Sequence, residues 1–360
     1  MNWIGLRDPA GGIYSPDGLG QPASCHTRQE ELVARGTLML DCNIMPSLTE
    51  QTLLSWQATD PWRTALTLTL DPTGTLTLRQ AQGDDLRHYR LKTGLKGRAA
   101  AVTIVFAWDA PGRRALLSAE VPDTGALWFT TGHGPLPLSQ HDARRIVTDR
   151  HHCHVMPGTG FVAVAEGIVP IGPLPSLDGG ALVPTPTGPV PLAHLRHGQI
   201  VTTADGTTAQ VRWTGGITLP ARGRFAPLRL RAPFYGAQRD IDLAPCQPIH
   251  FRSTEVEYLF ATHTVSARAG DLLEGVGPRR TPDGMTVRYR QLVLDRPAAI
   301  NVHGVACATL DTRGLLADPI LRMQSILGDV PLELLPRPAA SDAKRLQAFE
   351  TRSLCDMRTA

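Results

Sequence analysis

The sequence predicts a mainly β protein with two domains and short helices at its C-terminal end. Three observations carry this. The chain has 360 residues, more than one ordinary core accommodates. Apolar residues recur every second position through many short segments. The 34 glycines and 30 prolines punctuate those segments instead of pooling in one linker.

The first half alternates throughout. "TALTLTLDPTGTLTLRQ" sets Leu66, Leu68 and Leu70 on one face and threonine on the other; "DPTG" turns the chain, and Leu76 and Leu78 return. "AVTIVFAWDAPGRRALLSAEV" repeats the device with Val102, Ile104, Phe106 and Trp108. "GTLMLDCNIM" and "ALWFTT" add strands, and the set predicts a sandwich or jelly roll. "HDARRIV" reads as a brief helical turn, and a proline-rich joint follows at 166–175.

The second half has its own rhythm. "GQIVTTADGTTAQVRWTG" is a hairpin about Asp205–Gly206, and "RDIDLAPCQPIHF", "VEYLF" and "MTVRYRQLVLD" read as strands. A strand is expected to open the domain at 181. The tail turns helical: Asp318 caps "DPILRMQSIL" with Pro319 in its first turn, and "SDAKRLQAFETRSL" follows.

Bulk properties exclude some classes. Net charge is +3 and the arginines are dispersed, so no nucleic-acid surface is expected. No window is apolar enough for a membrane span. The N-terminus lacks the basic and apolar regions of a signal peptide, so a cytoplasmic setting is the default, with signal-less secretion open. Six separated cysteines without a CxxC pair read as free thiols.

Several segments in order resemble the Hint (Hedgehog/intein) domain in its alphaproteobacterial form. "ALVPTPTGPVPLAHLRHGQIVTTADG" is similar to the family's opening strand, TPxG turn and following hairpin. "GRFAPLRLRAPFYGAQRDIDLAPCQPIHF", "EVEYLF" and "VRYRQLVLDRPAAINVHGVACATL" resemble later segments. The N-terminal part resembles a concanavalin-A-like, lectin-like sandwich through its alternation and "VTIVFAWDAP". The expected division is a sandwich at 1–165, a linker at 166–175, a Hint domain at 176–310 and a helical tail at 311–360.

The resemblance implies autoprocessing. A first-residue nucleophile, usually cysteine, attacks the preceding carbonyl. A Thr-x-x-His element polarises that carbonyl and protonates the departing nitrogen. The nucleophile position maps to Ser176, after Pro175, and Thr-x-x-His maps to Ala244, Pro245, Cys246 and Gln247. A hydroxyl needs an activating base more than a thiol does. Ala244 has no side-chain donor, and the Gln247 amide does not titrate. The family's aspartate in "GD" is Gln199. The expectation is a degenerate centre on a scaffold that binds a protein or glycan, with no cofactor or metal. The alternative is active self-cleavage, an N–O acyl shift through Ser176.

Other polar residues have ordinary explanations. Cys246 at a strand end suits a small core residue. His250 alternates with Ile249 and Phe251, although a shifted register would put it at the histidine position. Asn301 and His303 faintly resemble an intein ending in reversed order. "RHHCH", with His141 upstream, gives two ligands per strand face, half a zinc site. Trp56, Trp62, Trp108 and Trp128 suit a core better than a sugar platform. Arg222, Arg224, Arg229 and Arg231 read as a solvated strand face.

Overall fold

A computed structural model describes residues 2–21, 31–60, 62–274, 279–280, 284–337 and 343–359. The chain divides into two compact units, Met1–Val169 and Pro170–Ala360. The division falls within the proline-rich joint. Residues before it are tied to the first unit: Thr37 Oγ1 donates to Gly167 O at 2.9 Å and accepts from Val169 N at 3.0 Å.

The first unit is built on two antiparallel sheets. In spatial order, the larger runs Ala126–His133, Arg114–Val121, Ala100–Asp109, Arg35–Ile44, Thr159–Glu166, Asn2–Asp8 and Gly11–Tyr14. The smaller runs Cys153–Val155, Gln51–Ala58, Thr64–Leu70, Thr75–Gln82 and Asp85–Lys92. Leu66, Leu68, Leu70, Leu76 and Leu78 join Leu38, Leu40, Ile104, Phe106 and Trp108 in one buried cluster. Each such side chain contributes about 2 kcal/mol through burial. The DPTG turn closes its hairpin because Asp71 Oδ1 accepts from the backbone of Thr73 and Thr75, at 2.8 and 2.9 Å. Alternation did not separate wet from dry along Ala100–Asp109, where Thr103, Val105 and Ala107 are buried as well. The expected helical turn is a full helix, Gln140–Thr148, with a capping box between Ser139 and Asp142.

The second unit pairs a seven-stranded sheet with a five-stranded one. The first runs Ile200–Thr202, Thr208–Pro220, Thr286–Leu294, Leu177–Asp178, Ile241–Leu243, Leu228–Leu230 and Arg279–Arg280. The second runs Ala299–Val302, Val305–Ala308, Pro248–Phe251, Val265–Arg268 and Lys344–Arg345. Leu177, Leu243, Ile249, Leu292, Ile300 and Cys307 lie in their shared apolar core. The hairpin at Asp205–Gly206 forms as expected, with Thr202 opposite Thr208 and Gly206 at φ 82°.

Two expectations are corrected. The opening strand lies at Leu177–Asp178, not at 181; Leu182–Val183 is a separate short strand pairing with Val190–Pro191. "VEYLF" is helix, not strand. It lies in Thr254–Phe260, started by Ser253, whose hydroxyl accepts from Val256 N at 3.4 Å. Its apolar alternation is not a buried face, since Val256 is buried and Tyr258 is 83% exposed.

The tail contains helices Arg313–Ala317, Pro319–Gln324 and Ala348–Thr359. Asp318 caps the second, its carboxylate accepting from Ile320 N and Leu321 N at 2.9 and 3.1 Å. No helix among the described residues is long and apolar enough to cross a membrane.

Candidate functional site

Ser176 sits one residue before a two-sided strand. Leu177 pairs with Leu243 on one flank and with Arg290 on the other. This places Ser176 beside residues from both neighbouring strands. Pro175 and Ser176 are both buried.

Gln247 reaches the serine from the turn after Ile241–Leu243. That turn is held by Gln247 N donating to Ala244 O at 3.0 Å and Ala269 N donating to Gln247 O at 2.9 Å. The Ser176 hydroxyl donates to Gln247 Oε1 at 2.6 Å. Gln291, from Thr286–Leu294, donates through Nε2 to the same Oε1 at 3.1 Å and lies 3.5 Å from Ser176 Oγ. Gln247 Nε2 donates to Pro248 O and Ala308 O at 2.7 and 3.0 Å. Gln291 Nε2 also meets Ala308 O at 3.3 Å, and its Oε1 accepts from Leu292 N at 3.1 Å. Ser176, Gln247 and Gln291 are 3%, 0% and 2% exposed.

These bonds fix the direction of every proton. Both Gln247 N–H groups and its oxygen are occupied; turning the amide around would set Oε1 against two carbonyl oxygens. The Ser176 proton therefore points at an amide oxygen, which is not a base near neutral pH. No imidazole hydrogen-bonds to Ser176 among the described residues. Ala244 contributes through its backbone, N donating to Ser176 O at 2.7 Å. Its methyl offers no donor to a carbonyl.

The remaining candidates fall into structural roles. His250 lies on Pro248–Phe251, opposite Ala306 and Ser266. Burial, reinforced by the Arg252 charge, lowers its pKa to about 4, so it is neutral near pH 7. His303 occupies a turn position at φ 49°, and Asn301 Oδ1 closes that turn by accepting from Gly304 N at 2.7 Å. Gln199 Oε1 accepts from Arg196 N at 2.7 Å, another turn closure. Arg222 and Arg224 flank and enter a 3-10 turn, so they share no strand face with Arg229. Arg229 forms a two-pronged ion pair with Asp242 at 2.8 and 2.7 Å.

Cys246 is half-buried, unlike Cys42, Cys153 and Cys307, which are buried. Burial raises the Cys42 and Cys307 thiols to about 12 and Cys153 to about 11, which leaves them protonated near pH 7. Cys25 lies outside the described residues. Among the described residues, no three His, Cys, Asp or Glu side chains converge on a metal-sized site. The four tryptophans do not form one platform: Trp56 and Trp108 are fully buried, while Trp62 is exposed.

Gln291 is the residue that sequence reasoning missed. A glutamine flanked by Arg290 and Leu292 in a strand carries no local mark of function. The available signal was its polarity at a position followed by the apolar run Leu292, Val293 and Leu294.

Residues 175–313 match the family model described as the Hint domain. The second unit contains a Hint domain. Among solved structures, the chain is similar to the MchDnaB-1 intein at 16% identity and a TM-score of 0.25, covering 37% of this chain and 98% of that one. It is also similar to the CBM40 of the Ruminococcus gnavus IT-sialidase bound to alpha2,3 sialyllactose, at 15% identity and a TM-score of 0.28, covering 47% and 91%. A third similarity is to the LG1-3 region of the laminin alpha2 chain, at 10% identity and a TM-score of 0.27, covering 86% and 56%. No curated protein matches.

Proposed function

We propose that this Hint domain has a silent autoprocessing centre and serves as a scaffold in the same chain as a lectin-like binding sandwich. The proposed limits are 1–165 for the sandwich, 166–175 for the linker, 176–310 for the Hint domain and 311–360 for the tail. The observation that carries the reading is the buried 2.6 Å bond from the Ser176 hydroxyl to the Gln247 amide oxygen.

Cleavage at Pro175–Ser176 requires Ser176 Oγ to attack the Pro175 carbonyl while its proton leaves. It then requires a proton for the departing Ser176 nitrogen. Gln247 supplies neither service, because its amide does not exchange its protonation state at ordinary pH. Each tenfold loss of rate corresponds to about 1.4 kcal/mol of barrier, and general acid–base catalysis commonly supplies two to four such factors. An oxygen nucleophile without a base adds a further loss.

Intact-mass measurement with and without hydroxylamine tests the proposal. The expected result is one species near 38.9 kDa under both conditions. Fragments divided at Pro175–Ser176, and abolished by Ser176→Ala, would establish the self-cleaving alternative.

A further inference from the structure

The helix Gln140–Thr148 has one face in the core of the first unit, through Ala143, Ile146 and Val147. Its other face carries His141, Arg144, Arg145 and Thr148, the i, i+3, i+4 and i+7 positions of a single stripe. The turn after the helix folds Asp149, Arg150 and His151 beside that stripe. Together they line an open groove of about 630 Å³.

The groove has an excess of positive charge. Three arginines face one carboxylate, a balance of +2 before any histidine is protonated. Asp149 is already engaged in the turn: it accepts from His151 N and His152 N at 2.9 and 3.1 Å, lies 2.7 Å from His152 Nδ1 and pairs with Arg145 at 3.4 Å. Arg150 uses one nitrogen on Pro9 O at 3.3 Å. Arg144 is exposed, and its guanidinium has no hydrogen bond or ion pair among the described residues. Each guanidinium carries five N–H donors in a planar fork, so most of the donor capacity here remains available. The helix C-terminus opposes an anion with about half a negative charge, which is smaller than the arginine excess.

We propose that this groove binds a small polyanion through carboxylate, sulfate or phosphate groups. Paired N–H donors of arginine match the oxygen spacing of all three groups. The lining offers no Phe, Tyr or Trp ring, the large apolar faces on which a neutral sugar would stack.

Calorimetric titration of the full chain at low salt, with inorganic phosphate, sulfate and citrate as probes, tests this. At least one probe should bind saturably and bind more weakly as sodium chloride is raised. Arg144→Ala combined with Arg150→Ala should weaken it at least about tenfold, because each charge-assisted hydrogen bond corresponds to a tenfold change or more. Arg144→Gln alone, at an exposed position without a partner, should weaken it in the same direction and serves if the double variant unfolds. Arg90→Ala, on the Asp85–Lys92 strand, should leave binding unchanged. Binding of none of the probes would overturn the proposal, as would equal loss in the Arg90 variant or equal affinity in the double variant. A hexaglutamate peptide binding more tightly than every small probe would also overturn it, in favour of an acidic protein partner.

Discussion

The Ser176 hydroxyl and the Gln247 amide oxygen meet at 2.6 Å across 71 positions of sequence. Gln291 approaches the same oxygen at 3.1 Å from a third segment. Such a closed neutral network contributes to stability whether or not it does chemistry, since an unmatched group at this depth is costly.

Ser176→Ala should therefore cost only about 1 kcal/mol, because Gln291 continues to supply Gln247 Oε1 with a donor. Urea denaturation measures the difference. A loss above about 3 kcal/mol would mean that the serine has a larger structural role than this network gives it.

Ser176 and Gln291 should couple. In a double-mutant cycle with Ser176→Ala and Gln291→Leu, the interaction energy should lie near 0.5–3 kcal/mol, because both residues bear on one amide. Strict additivity, within about 0.3 kcal/mol, would show that the shared oxygen does not link them.

Gly36→Ala should destabilise the first unit by about 1–3 kcal/mol through overpacking. A Cβ built at Gly36 would overlap Trp108 Cζ2. Trp108 is fully buried and tied through Nε1 to Val33 O at 2.7 Å, so it has little freedom to withdraw. Thermal melting checks this, and an unchanged midpoint would count against a rigid indole.

Acid should act through His250. Its folded pKa of about 4 lies below the ordinary 6.5, so the unfolded chain takes up this proton first as pH falls. Its contribution is fully present above pH 6.5 and is lost on descending toward pH 4, at about 1.4 kcal/mol per pH unit within that window. His250→Leu should flatten the stability profile over the same interval. An identical slope in the variant would assign the acid sensitivity elsewhere.

Asp242→Asn should change stability by less than about 1 kcal/mol despite the ideal fork geometry to Arg229. The two side chains are 42% and 36% exposed, so water already screens them. The same denaturation measurement checks it.

Much of the fold was legible because strand alternation and turn chemistry are local. Leu66 to Leu78 folds back where Asp71 and Gly74 direct it, and Asp318 starts its helix with the residue types expected at those positions. "VEYLF" misled because alternation does not reveal whether anything covers the strand; Ser253 and the acidic residues after it were the better signal. At the candidate centre, residue types at 176, 244 and 247 followed from the family resemblance. Their contacts did not.

By itself the sequence determined a β-rich chain and its two-part rhythm, and its family resemblance mapped a hydroxyl and an amide to positions where a thiol and an imidazole are expected. Only tertiary structure decided that Gln291 completes the network and that Ala244 acts through its backbone. Periodicity is written along the chain, residue by residue. Convergence of positions 176, 247 and 291 exists only once three strands lie side by side in a packed core.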